Sequence, residues 1–200
     1  MRLGSGSALA FAACLAAGGC AHRQPVVSRE CGEAAVAAEA ARVASLVQRT
    51  PDGSWSIGAL RLGARRDEAQ QALGQDWTCR QEGAAFVCRS QQGVVSVDSF
   101  HGCVTAVWLG VRSCSTSRSE TCADFHAVVD ALTRLHGQPS VAKGEACGGS
   151  EPDGRARAVA SWHGSGSHRL VAAIENSPET IESFYVGVTL EAEGVCRKAD

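Results

Sequence analysis

The chain is poor in aromatic residues and nearly balanced in charge. Phe, Trp and Tyr make up 5% of its 200 residues, so any core must consist mainly of Val, Leu, Ile and Ala. Its 19 basic residues face 21 acidic residues, which leaves no basic excess for binding nucleic-acid phosphates. We therefore expect no nucleic-acid partner, whereas the 44% hydrophobic content is typical of a folded domain.

The sequence also lacks the familiar signatures of catalysis and cofactor binding. It contains no Gly-x-Ser-x-Gly nucleophile motif, no His-Glu-x-x-His zinc motif and no phosphate-binding P-loop. It contains no Cys-x-x-Cys either, which argues against a thioredoxin-like redox pair, a zinc knuckle and covalently attached haem. These absences favour a protein without enzymatic activity and without a cofactor.

Two histidines are the candidates for a metal site. His163 and His168 bracket a Gly-Ser-Gly-Ser stretch, which predicts a hairpin tip that brings the two imidazoles near each other. Protein zinc sites take three or four protein ligands, and this stretch offers only two. We therefore expect two solvated histidines beside a turn and no bound metal.

The first twenty residues have the parts of an export signal. Arg2 precedes an uncharged apolar run over residues 8–17, and small residues then lead to Cys20. The run is too short for a permanent membrane-spanning helix, which needs ~20 apolar residues. We assign residues 1–19 to a signal peptide and residues 20–30, which lack hydrophobic periodicity, to a tether.

The end of this signal, Ala17-Gly18-Gly19-Cys20, resembles the lipobox of bacterial lipoproteins. The resemblance implies cleavage before Cys20, acylation of that cysteine by chains such as palmitate, and anchoring in the cell envelope. Three acyl chains make such an anchor effectively permanent. Because Ala21 rather than Asp follows Cys20, the family's sorting pattern implies the outer membrane, with the domain facing the periplasm. The alternative is simple secretion with cleavage near Ala21, which leaves Cys20 as an ordinary thiol.

Cysteine is abundant, which predicts a disulfide framework. Ten cysteines occur, and eight remain once Cys14 leaves with the signal and Cys20 is acylated. An even number in an exported chain predicts four disulfides.

Two of these four disulfides are suggested by local patterns. Cys79 and Cys88 lie symmetrically about a two-residue turn at Gly83-Ala84, where a hairpin would place them directly opposite each other. A Cys114–Cys122 bond would close a polar loop. We pair the other four cysteines, without a local argument, as Cys31–Cys103 and Cys147–Cys196.

Hydrophobic periodicity predicts one disulfide-stapled α+β domain over residues 31–200. We expect two to three helices, among them 33–48, 65–73 and 122–136, and an antiparallel sheet of about six to seven strands. A helix followed by Gly-Gln and then strands occurs twice, at 74–75 and at 137–138. This repetition is one reason to consider two similar α-β lobes within the domain, over 54–112 and 122–192.

Residues 57–74 resemble the opening of small envelope α+β proteins, namely outer-membrane assembly accessory lipoproteins and β-lactamase-inhibitor proteins. The shared pattern is Ile57-Gly-Ala-Leu-Arg-Leu-Gly63, followed by a helix that ends in Leu73-Gly74. The resemblance implies a binding scaffold and transfers no partner or residue role.

Three functions are compatible with these features. The first is a lipid-anchored envelope protein that binds an envelope protein partner without catalysis, and the second is an exported inhibitor of a hydrolase. The third is an envelope hydrolase or thiol enzyme. An exposed apolar sheet face would favour the first function, and a protruding stapled loop such as 114–122 would favour the second. A pocket that gathers a free Cys, or a His beside a carboxylate, would favour the third.

Overall fold

The computed structural model describes residues 32–83, 85–91, 93–112, 118–143, 158–176 and 184–196. Its helices are α1 (Glu33–Leu46), α2 (Arg66–Leu73) and α3 (Arg118–His136). Its strands are β1 (Val47–Arg49), β2 (Trp55–Ile57), β3 (Leu60–Arg61), β4 (Thr78–Glu82), β5 (Ala85–Ser90), β6 (Gly93–Phe100), β7 (Cys103–Gly110), β8 (Val141–Lys143), β9 (Val159–His163), β10 (Arg169–Asn176) and β11 (Phe184–Glu191). The assigned signal peptide and tether, with Cys20, lie outside the described residues. Neither α1, α2 nor α3 has the length and apolar character needed to cross a membrane.

Eight strands form one antiparallel sheet in the order β4-β5-β6-β7-β11-β10-β9-β8. Each half of this large sheet is a run of consecutive strands, and the halves meet where β7 pairs with β11. The proposed lobes 54–112 and 122–192 thus contribute four strands each to a single sheet. A smaller sheet has the order β1-β2-β3.

The predicted α+β class and antiparallel sheet are confirmed, but the predicted count of six to seven strands is too low. The large sheet alone has eight strands. The predicted helix 33–48 extends two residues too far, because Val47 and Gln48 belong to β1, which pairs with Trp55–Ile57. The sequence indicates no strand over Val141–Lys143, yet these residues pair with β9 as β8. Strands of three residues are too short to show a clear alternation of polar and apolar side chains.

One face of the large sheet forms the core of the protein. The strand register aligns apolar side chains in rows across the sheet, and α3 packs against them with its own apolar stripe. One row contains Cys88, Val95, Leu109, Val188, Ala172 and Ala160, and the stripe of α3 contains Phe125, Val128 and Leu132. Because α1 packs on α3 and joins the same core, this face is removed from water.

Two disulfides are fully described, and they correct part of the predicted pairing. Cys79–Cys88 is present, with its residues directly opposite each other on β4 and β5. Cys103 is bonded to Cys196, so the predicted Cys31–Cys103 and Cys147–Cys196 bonds are wrong. The physical reason is the pairing of β7 with β11, which brings the start of β7 beside the chain that follows β11.

Cys122 is also disulfide-bonded. The predicted Cys114–Cys122 bond includes Cys114, which lies outside the described residues, so this pairing stays a prediction.

The small sheet packs against the hairpin tip between β9 and β10. The backbone N–H of Ser165 donates a hydrogen bond to the carbonyl of Gly53, at 2.8 Å. A Cβ atom at Gly164 would lie 2.8 Å from that same carbonyl oxygen and 2.8 Å from Nε1 of Trp55. Such a contact is too close for any side chain, so glycine is required where the two sheets meet.

Candidate functional site

The second face of the large sheet lies outside the core and carries a row of uncharged side chains across its middle. A register row across five strands places Val87, Ser96, Trp108, Thr189 and Val171 side by side. All five side chains are half-buried, and none belongs to the core cluster. We call this row the open face.

Trp108 forms the centre of the open face, and its position depends on two glycines. A Cβ atom at Gly110 would lie 2.7 Å from Cη2 of Trp108, and one at Gly187 would lie 2.9 Å from Cε2. Gly110 and Gly187 are register partners on β7 and β11. The indole therefore occupies the space above the bare backbone of both strands, which fixes it against the sheet.

A polar patch borders the open face where β9 and β11 end and β10 begins. His163, Arg169 and Glu191 are register neighbours there, and Arg169 Nη2 lies 2.8 Å from Glu191 Oε1. Together with Ser167 and Glu193 they line a cavity of about 450 Å³. An uncharged row with an aromatic side chain at its centre and charged side chains at its border is a common composition of a protein-binding surface.

The predicted histidine pair lies at this patch. His163 ends β9 and is exposed, while His168 precedes β10, and its carbonyl accepts a hydrogen bond from the N–H of Gly164. Within the ranges that the structure describes, no group of three or more His, Cys, Asp or Glu side chains is arranged to hold a metal ion. We therefore argue no metal chemistry from these two residues.

Glu39, on α1, is the carboxyl group whose pKa departs furthest from its ordinary value among the described residues. Glu39 is only 4% exposed and accepts hydrogen bonds from Arg42 Nε (2.9 Å) and Nη2 (2.6 Å). It also accepts hydrogen bonds from the backbone N–H of Arg112 (2.9 Å) and from Arg112 Nη2 (3.0 Å). Because Arg112 lies two residues after the end of β7, these hydrogen bonds hold α1 against the middle of the large sheet.

The charge state of Glu39 argues against a catalytic role. Burial alone would raise its pKa, but the hydrogen bonds from Arg42 and Arg112 outweigh burial and lower the pKa to about 2. A carboxylate this acidic is a poor general base, because catalysis favours a pKa near the working pH. Glu39 is therefore a structural anion.

The half-buried His136 at the end of α3 is also a packing residue. Burial lowers the pKa of His136, and its ring meets Trp55 edge-on with the ring centroids 5.0 Å apart. It is also hydrogen-bonded to the backbone of Val47. These contacts hold the end of α3 against the small sheet.

Sequence reasoning missed both the open face and the Glu39 cluster. One available signal was Gly187, inside the alternating stretch 184–191, because an interior strand glycine often marks a close approach of another group. Glu39 gave no signal, since it lies among alanines in a helix and its partner Arg112 is far away in sequence.

Comparison with known proteins gave no match. No family model, no curated protein and no solved structure matches the chain. The likenesses of the lipobox and of residues 57–74 to known families therefore stay resemblances.

Proposed function

We propose that this protein is a lipid-anchored, non-enzymatic binding protein of the cell envelope that holds a protein partner on its open face. The observation that carries the proposal is the half-buried, uncharged row with Trp108 at its centre. Tryptophan is enriched among the residues that dominate binding energy, particularly near the middle of an interface. Because the sheet backbone already positions the indole, binding costs little side-chain entropy.

The polar patch supports the same proposal. An apolar centre with charged residues at its border matches the core and rim of a protein interface. The Arg169–Glu191 pair and His163 offer donors and acceptors that can fix the orientation of the partner. The large sheet is also a rigid platform, which suits a binding scaffold.

We expect Trp108→Ala to abolish partner capture. A photo-crosslinking residue placed at position 96 on the open face, in the organism's own cells, should give a discrete adduct with one envelope protein. Trp108→Ala should reduce the yield of that adduct at least tenfold, since a central tryptophan typically contributes about 2 kcal/mol or more. Leu135→Ala is the matched control, because Leu135 is 61% exposed on α3, which packs on the other side of the large sheet from the open face.

The result has three informative outcomes. Loss of the adduct in Trp108→Ala alone supports the proposal. Equal yields in both variants, or no adduct at all, contradict it. If the adduct proves to be a hydrolase whose activity falls on binding, the partner is an enzyme and the protein is its inhibitor.

We expect anchoring to depend on Cys20. The native protein should show an intact mass that starts at Cys20 and includes acyl chains, and it should partition with membranes. Cys20→Ser should move it to the soluble fraction, because three chains at ~0.8 kcal/mol per buried methylene are lost. Cys14→Ser should change nothing, as position 14 leaves with the signal peptide. A native chain that starts at Ala21 without lipid would refute the anchor.

A further inference from the structure

A cavity of about 620 Å³ lies between the start of α2 and the turn that joins β6 to β7. Two backbone contacts hold its walls together. Arg65 pairs with Cys103 as an isolated β-bridge, and the N–H of Arg66 donates a hydrogen bond to the carbonyl of Gly102, at 2.9 Å. Cys103, which is bonded to Cys196, lines the cavity, and both cysteines are half-buried. This disulfide therefore lies beside space that a reactant can enter.

The charged lining of this cavity is more basic than acidic. It consists of Arg65, Arg66 and Asp67. Arg65 is already paired with Asp67, with Nη2 and Oδ2 3.1 Å apart, and the backbone N–H of Arg65 donates to the side chain of Glu68. The guanidinium of Arg66 instead lies over the ring of Phe86, 5.6 Å from its centroid, and no carboxylate in the described part of the chain pairs with it. Arg66 is therefore the uncompensated positive charge beside the bond.

The disulfide between β4 and β5 has a different environment. Cys88 belongs to the core and is 0% exposed, so attack on the half-buried Cys79 would have to expel the Cys88 thiolate into an apolar interior. Apolar surroundings stabilise a thiolate poorly, which makes it a poor leaving group. Arg80 and Arg89 adjoin these cysteines in sequence, but successive side chains of a strand point to opposite faces of a sheet, so neither arginine lies on the side of the bond.

We propose that Cys103–Cys196 is an exchangeable disulfide that a dithiol reduces at this cavity, whereas Cys79–Cys88 is inert in the folded protein. A thiolate of the dithiol attacks Cys196 Sγ, an S–S bond forms there, and the Cys103–Cys196 bond breaks with its electron pair on Cys103 Sγ. The positive charge of Arg66 stabilises this departing thiolate.

The second thiol of the reductant completes the exchange. It loses its proton and attacks the mixed disulfide at the reductant's own sulfur, which releases Cys196 as a thiolate. Two electrons thus pass from the dithiol, which becomes a disulfide, to the two cysteines, each of which takes up a proton. Reduction frees the chain beyond β11 from the start of β7. Because β7 and β11 join the two halves of the large sheet, the stability of the sheet then depends on the redox state of its surroundings.

Reduction of the folded, oxidised full chain by dithiothreitol at pH 7, without denaturant, tests this inference. Alkylation stops the reaction, and peptide mass spectrometry gives the initial rate at which each disulfide is reduced. Cys103–Cys196 should be reduced at least tenfold faster than Cys79–Cys88, which is the internal control. Equal rates, or faster reduction of Cys79–Cys88, would overturn the inference.

Two variants test the role of the cavity. Arg66→Gln removes the uncompensated charge and should slow the reduction of Cys103–Cys196 about threefold or more, since a less stabilised thiolate leaves more slowly. Arg61→Gln is the matched control, because Arg61 is exposed on β3 and does not line the cavity. The same rate in both variants contradicts the proposed role of Arg66.

The source of the dithiol is tested by replacing dithiothreitol with reduced thioredoxin. Reduction of Cys103–Cys196 by both reagents supports a protein dithiol as the reactant, and reduction by dithiothreitol alone supports a small one. The inference goes beyond the proposed binding function, and none of these measurements involves the open face or acylation. Each of the two proposals can therefore fail without the other.

Discussion

Replacing Glu39 with Gln should lower the free energy of unfolding by about 2–3 kcal/mol, the cost of removing a buried carboxylate that accepts charge-assisted hydrogen bonds from two partly exposed arginines. The carboxylate is 4% exposed and accepts hydrogen bonds from both Arg42 and Arg112, so its loss leaves two guanidinium groups without their shared counter-charge. Urea denaturation followed by far-UV circular dichroism measures the change. Glu33→Gln, an exposed position in the first turn of the same helix, should change stability by less than about 0.5 kcal/mol.

The same residue should dominate the acid sensitivity of the fold. The pKa of Glu39 is lowered from 4.5 to about 2 in the folded protein, so its contribution is fully present above pH 4.5 and is lost as the pH falls towards 2. The difference corresponds to about 3 kcal/mol at 1.36 kcal/mol per pKa unit. Glu39→Gln should therefore show a flatter dependence of stability on pH between about 5 and 2. A parallel, merely displaced curve would mean that Glu39 is not the responsible group.

Removal of the Cys103–Cys196 disulfide should have a comparably large effect. The bond closes a sequence separation of 93 residues, for which the loss of chain entropy in the unfolded state gives about 4–5 kcal/mol. The double variant Cys103→Ala/Cys196→Ala should lose about this much stability. Denaturant midpoints measured on the oxidised proteins provide the comparison.

The short disulfide serves as the control for the long one. Cys79–Cys88 closes a separation of only nine residues, so the same reasoning gives about 2.5–3 kcal/mol for its removal. The long bond should therefore be worth about 2 kcal/mol more than the short one. An equal or smaller loss on removing Cys103–Cys196 would show that the chain beyond β11 is held by packing rather than by the bond.

The features that could be predicted from the sequence are those that depend on residues close together along the chain. The apolar stripe of α3 and the stop at Gly137 locate that helix, and the turn at Gly83 fixes the register that opposes Cys79 and Cys88. The Cys103–Cys196 bond depends on the pairing of β7 with β11, which joins distant parts of the chain. No local pattern encodes that pairing.

The same limit applies to the candidate site. The alternation of β7 indicates which residues share the face of Trp108, but not that Gly187 lies beneath its ring. The ion-pair cluster likewise depends on Arg112 reaching Glu39 from another element. Sites assembled from several strands and helices require the tertiary arrangement, whereas turns and helix stripes do not.

The pairing of β7 with β11 affects how the protein folds. The strands β4 to β7 follow one another and can pair while the rest of the chain is still being made, whereas β11 comes last in sequence. Until β11 arrives, β7 is an unpaired edge with its backbone groups open to any strand that fits. The strand that competes best for this edge is β11 of another copy. The β7–β11 pairing is therefore the point at which two chains would exchange halves in a domain-swapped dimer. The Cys103–Cys196 bond, which joins β7 to the chain beyond β11, secures the correct partner once it has formed.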